Sequence, residues 1–269
     1  MTDQRTRAAV FAALHAEGTF VIPNPWDGGT ARLLSGLGFP ALATTSAGLA
    51  FALGRSDAAN LVSRDEALRN AAEVVAATDL PVAADLESGF GERLEDVAET
   101  IRLAAAAGLV GGSIEDATGM ADRPLFDRGV AVERVAAAVE AARALPFPFT
   151  VTARAENFIY GRPDLDDTVA RLAAYAEAGA DVLYAPGLPD ADAVRAVCAI
   201  GKPVNVLAGP QWTVEQLAGL GVRRISLGSA LPRAAMAAVL SAAREIAQEG
   251  TFTYPAVPYA EANALMGDS

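Results

Sequence analysis

Eight times along this 269-residue chain a short β-branched or apolar run is followed by an alanine-rich segment with helically spaced apolar residues. Few folds tolerate that alternation. Its pattern predicts strands at 19–23, 41–45, 82–85, 109–114, 149–154, 181–185, 204–207 and 223–227. Helices follow at about 28–37, 64–78, 92–107, 130–144, 165–178, 191–200, 214–220 and 232–248, after an opening helix near 3–17. Ser63 with Glu66 and Thr213 with Gln216 have capping-box spacing, and Gly38, Gly108, Gly179 and Gly221 each fall where a helix must hand over to a strand. Eight units of roughly 34 residues predict a single α/β domain spanning 1–269, a closed (β/α)8 barrel that buries every strand edge. The alternative, an open doubly wound sheet, normally carries G-x-G-x-x-G after its first strand. Here that place reads Pro23 to Gly29 without the motif, and Gly89-Phe90-Gly91 lacks the third glycine.

Composition then removes chemistries. The chain carries 21 basic and 33 acidic residues, a formal charge of −12, which argues against nucleic acid and anionic membrane as partners. His15 and Cys198 are the only histidine and cysteine. A zinc cluster is therefore excluded, a Cys-His pair or a Ser-His-Asp triad is not expected, and acid–base work is expected to fall to carboxylates, tyrosine, arginine, serine or water on a hard ion. No run approaches a membrane span, so a cytoplasmic protein is expected.

In such barrels chemistry gathers at the carboxyl ends of the strands, and those ends are polar here. Asn24-Pro25-Trp26-Asp27 follows strand 1, Thr44-Thr45-Ser46-Ala47-Gly48 strand 2, Asp85-Leu86-Glu87 strand 3, Glu115-Asp116 strand 4 and Arg154-Ala155-Glu156-Asn157 strand 5, while strand 7 carries Asn205. Asp85 and Glu87 lie two apart on a presumed extended segment, so both point to the barrel axis, and Glu115 reaches the same mouth. Carboxylates converging there need a cation, and an all-oxygen set indicates Mg2+ or Mn2+. Arg154 suits bidentate binding of a substrate carboxylate; the alternative is a rim ion pair with Glu156 or Glu115. Ser46, with the amides of Ala47 and Gly48, offers donors for an enolate oxygen.

These stretches, with Gly112-Ser113-Ile114-Glu115-Asp116 and Thr152 to Glu156, resemble the isocitrate lyase/phosphoenolpyruvate mutase superfamily over nearly the whole chain. The resemblance implies Asp85 holding a metal directly and Glu87, Glu115 and Asp57 holding it through waters. It implies Ser46 and the following amides on the 2-oxo and carboxylate oxygens, with Trp26, Ala47, Gly48, Asp85, Arg154 and Asn205 around the substrate. Arg154, Ser46 and Glu115 become the catalytic candidates. It also implies a last helix exchanged between subunits, with 230–269 in the contacts of a homo-oligomer, a dimer of dimers. The lyases' Lys-Lys-Cys-Gly-His loop is replaced by Ala117 to Gly129, without cysteine, lysine or histidine. The expected function is a Mg2+-dependent lyase or decarboxylase of a small 2-oxo or 2-hydroxy acid, oxaloacetate- or methylisocitrate-like, through a pyruvate-type enolate. The alternatives are phosphorus–carbon mutase or hydrolase chemistry, or a 2-oxo acid binding protein without turnover. Residues 118–129 are expected to form a lid over the acid.

Overall fold

A computed structural model describes residues 2–57 and 61–267. Helix α1 (Gln4–Leu14) precedes strand β1 (Phe20–Ile22), α2 (Gly28–Ser35), β2 (Leu42–Ala43), α3 (Ser46–Ala52), α4 (Arg64–Ala76), β3 (Val82–Asp85), α5 (Leu94–Ala106) and β4 (Gly111–Glu115). Then come α6 (Arg128–Arg143), β5 (Thr150–Arg154), α7 (Leu165–Glu177), β6 (Val182–Tyr184), α8 (Ala191–Cys198), β7 (Val204–Leu207), α9 (Val214–Gly219), β8 (Arg224–Ser226), α10 (Ala230–Glu249) and α11 (Tyr259–Met266). All eight strands are parallel, in the order β1-β8-β7-β6-β5-β4-β3-β2, a (β/α)8 fold. The expected strands and helices are all present, with most ends shifted by one to three residues and α10 longer at both ends; α3 and α11 add to the expected set. Both predicted capping boxes form, and the four helix-closing glycines have φ between +83° and +98°.

Ladder pairing around the barrel stops between β1 and β2, so not every strand edge is buried by a ladder as expected. Two residues of β2 and a proline after β1, which has no N–H to offer, leave little to pair. Asn24 bridges the seam instead. Its Nδ2 donates to the carbonyls of Ala43 and Thr44, both at 3.1 Å, and its Oδ1 accepts from the amides of Leu227 and Gly228, both at 2.9 Å. Pro23 O also accepts from Ala43 N at 3.1 Å.

The apolar core lies between the strands and the outer helices, where Ile101, Leu109, Phe149, Leu172 and Leu183 are fully buried. Inside the barrel the residues are smaller. A Cβ on Gly112 would meet Leu86 Cδ1 at 2.5 Å, so only glycine lets the end of β3 fold over β4 there. Helix α10 departs from this plan: of its 20 residues only Pro232 is buried. Among the described residues no helix is long and apolar enough to cross a membrane.

Candidate active site

One register row supplies most of the site. Glu115 pairs with Arg154, Arg154 with Tyr184, Tyr184 with Asn205, and Asn205 with Arg224. Glu115 and Arg154 end their strands while Arg224 begins its own, so the staggered row descends from the mouth to the floor of the barrel. Along it runs a cavity of about 230 Å3, lined by Ser46, Ala47, Asp85, Arg154, Asn205 and Arg224 among others. A second cavity of about 100 Å3 opens beside it and is lined by Asp57, Glu87, Glu115, Glu156, Arg154 and Tyr160.

Arg154 stands between the two. Its Nη1 meets Asp85 Oδ1 at 3.0 Å, its Nη2 meets Glu115 Oε2 at 3.2 Å, and its Nε donates to Glu156 Oε1 at 2.9 Å. The guanidinium also lies 5.0 Å from the centre of the Tyr184 ring. Burial opposes its charge, but Glu156, Asp85 and Glu115 outweigh burial and raise its pKa. The rim ion pair set against substrate binding is thus present, with three acids rather than one. Asp85 accepts from Ser46 Oγ at 2.9 Å and from the Glu87 amide at 3.3 Å. Burial pushes its carboxyl up, yet Arg154, Ser46 and that amide bring it below the usual range. Glu115 goes the other way: burial, with Glu156, Asp85 and Glu87 nearby, raises it well above the ordinary value despite Arg154.

Glu87 reaches the mouth by another route than strand alternation. β3 ends at Asp85, and Glu87 has φ of +47°, a left-handed conformation uncommon for a non-glycine residue. Burial, then the charges of Asp85 and Asp57, pushes its carboxyl up to about 7. Such an acid lacks a compensating cation of its own. Among the described residues no three acidic side chains come close enough to ligate one ion together. Asp85, with the Ser46 hydroxyl and the raised carboxyl of Glu87 beside it, makes an all-oxygen donor set, which a hard dication held through one carboxylate fits.

Trp26 and Gly48 lie elsewhere. They line an apolar groove of about 350 Å3 between α3 and α10, with Phe51, Met236, Val239 and Leu240. Gly48 N donates to Thr45 Oγ1 within the first turn of α3, leaving Ser46 and Ala47 at the cavity. Asn205 lines the cavity with its amide engaged, Nδ2 donating to Ser226 Oγ and Oδ1 accepting from Arg224 Nε, both at 2.9 Å. Asp116 is buried below the mouth, accepting from Tyr175 Oη at 2.7 Å, Arg171 at 3.1 Å and the Glu156 amide at 2.8 Å. Residues 118–129 line neither cavity. Ala117 bridges Leu125, and the Thr118 hydroxyl donates to Arg123 O, closing the segment on itself. Tyr184, Tyr160, Thr152 and Arg224 escaped the sequence reading. The inward period of β5 and β8 could have flagged Thr152 and Arg224; nothing local marks the tyrosines.

The sequence profile described as phosphoenolpyruvate phosphomutase matches residues 11–247. The crystal structure of a Burkholderia cenocepacia J2315 protein, described as a candidate lyase/mutase, superposes with a TM-score of 0.95 at 58% identity, covering 98% of this chain and 97% of that one. A protein of Mycobacterium tuberculosis without an assigned activity is 32% identical over 96% of both chains. Oxaloacetate decarboxylase 2 of Pseudomonas fluorescens is 31% identical, covering 74% of this chain and 69% of its own.

Proposed function

Because the chain belongs to the phosphoenolpyruvate phosphomutase family, we propose that it is a Mg2+- or Mn2+-dependent carbon–carbon lyase or decarboxylase. Its substrate is a small 2-oxo or 2-hydroxy acid, oxaloacetate- or methylisocitrate-like, cleaved through a pyruvate-type enolate. The observation that carries this is Arg154, held by Asp85, Glu115 and Glu156 at the wall of a cavity that Ser46 also lines. A guanidinium fixed in place before charge develops stabilises an enolate oxygen without reorganising. Similarity to an oxaloacetate decarboxylase supports the substrate class. In decarboxylation the bond from carbon 3 to the departing carboxylate breaks, CO2 leaves, and its electron pair passes toward the 2-oxo oxygen. Ser46 and the neighbouring Ala47 amide orient that end of the acid. Carbon 3 then takes up one proton from water, and Glu115, paired with Arg154, helps to keep that guanidinium in place.

Asp85 would hold the dication directly, and Glu87, Glu115 and Asp57 through waters. When bound, the ion supplies Lewis-acid stabilisation of the enolate oxygen. Phosphorus–carbon chemistry is less favoured, since Thr118, whose hydroxyl could receive a phosphoryl group, lines neither cavity. The same reading takes the chain as one cytoplasmic domain whose α10 seats against a second copy.

A panel of 2-oxo and 2-hydroxy acids, with and without Mg2+ and with pyruvate followed by a coupled assay, tests it. Mg2+-dependent release from at least one acid is expected. Arg154→Lys keeps the charge but loses the planar fork, so turnover should fall on the order of 100- to 1000-fold with a much smaller change in KM. Binding of an acid by calorimetry without any release would instead make this a binding protein.

A further inference from the structure

Arg224 is a buried cation surrounded by neutral groups. It opens β8 inside the barrel, 6% exposed. Its Nε donates to Asn205 Oδ1 at 2.9 Å, its Nη2 to Thr152 Oγ1 at 2.9 Å, and its Nη1 to His15 Nε2 at 3.4 Å. The His15 tautomer follows from its other contact: Nδ1 keeps the proton for Phe11 O at 2.8 Å, leaving Nε2 to accept. Burial pushes the guanidinium down to about 10, and among the described residues no carboxylate offsets this. Arginines of this kind are ordinarily paired, because desolvating an isolated charge is costly. A guanidinium has five donors, and the three bonds above leave some unspent.

These donors sit at the floor of the 230 Å3 cavity, which reaches them because Ala43, Ala83 and Gly112 fill little of the barrel interior. Larger branched residues usually pack that space. Both arginines line this cavity, and Thr152, which touches Arg224, lies two residues before Arg154 on β5, a backbone rise of about 6.6 Å along the strand. That rise is within reach of a short diacid.

We propose that Arg224 is an anion subsite that takes the second carboxylate of a short-chain dicarboxylate whose first end sits at Ser46 and Arg154. Arg224 thereby determines specificity for dianionic over monoanionic acids. The inference rests on the reading of the mouth as a carboxylate seat, and its test separates the two. Calorimetry in Mg2+-containing buffer would compare succinate, butyrate and pyruvate. Succinate should bind at least about tenfold tighter than butyrate, the increment of one charge-assisted contact. Arg224→Met should abolish that preference and leave pyruvate binding unchanged. Asn205→Asp sets a carboxylate against Arg224 Nε at nearly constant volume and should abolish it too, which keeps the test intact if the methionine variant does not fold. Succinate binding no tighter than butyrate, or a preference that survives both substitutions, overturns the subsite. Failure of pyruvate to bind the native protein would overturn the reading of the mouth instead.

Discussion

Glu87 faces Asp85 and Asp57 across a partly buried cavity, and burial followed by those two charges lifts its carboxyl from 4.5 to about 7. Between those values the folded protein binds a proton that the unfolded chain has released. Stability from this group is therefore complete below pH 4.5 and is lost as pH rises through 7. Glu87→Gln should remove the loss, so the variant gains on the native protein across that window, by about 2 kcal/mol at pH 8. Mg2+ should stabilise the native protein above pH 7 and the variant less. Urea titrations at pH 5 and pH 8, with and without Mg2+, check both; equal stabilities at pH 8 would remove Glu87 from the strained set. Asp85 differs, because Arg154, Ser46 and the Glu87 amide already favour its charged form. That three acids meet at the mouth was legible from their following apolar strand residues. That Arg154 pairs with Asp85 as well as with Glu115 and Glu156 was not, since that contact spans from β5 over β4 to β3.

At the scale of elements, the barrel's weakest join is β1 to β2; the Asn24 side chain sends two hydrogen bonds across it to Ala43 and Thr44 and accepts two more from the residues after β8. Asn24→Ala leaves two carbonyls and two amides without these partners in a buried place, and about 2–4 kcal/mol of destabilisation is expected. Asn24→Asp keeps the acceptor half but sets a carboxylate oxygen against the carbonyls of Ala43 and Thr44 and should cost at least as much at neutral pH. Equilibrium unfolding measures both, and a loss below about 0.5 kcal/mol for the alanine variant would mean that the seam does not depend on this residue. The seam was invisible in sequence because the strand-2 run reads like any other. Its shortness follows from Pro40 before it and the missing donor of Pro23 opposite.

For the molecule as a whole, α10 and the following segment leave apolar surface open. Val239 is 68% exposed, Phe252 74% and Tyr259 84%, while α11 returns to α2 through Arg32 to the carbonyls of Met266 and Gly267. Burying such surface is worth about 25 cal/mol per Å2, and Val239 continues into the apolar groove of Trp26, Gly48 and Phe51. Light scattering after size exclusion is expected to give an oligomer at micromolar concentration; a monomer would rule out the paired arrangement. Acid should loosen the barrel floor. Burial, then Arg224, lowers the His15 pKa from 6.5 to about 3, so the unfolded chain takes up a proton that the folded one refuses. Stability from this group is present above pH 6.5 and lost as pH falls toward 3, at up to about 1.4 kcal/mol per unit. His15→Gln should flatten the pH dependence between 6.5 and 4, and an unchanged slope would remove His15 from the acid response.

The sequence by itself determined the repeating unit, its capping and the mouth-facing acids, because helix and strand periods and cap chemistry are local and survive in a linear string. It also narrowed the acid–base groups at hand, through a single histidine and a single cysteine. Tertiary structure alone decided which acids share Arg154, that Glu87 arrives through a left-handed backbone, that Trp26 faces α10, and that Arg224 lies under the cavity without an acid. Each of these depends on strand stagger or on packing between segments far apart in the chain, and neither leaves a trace in local spacing.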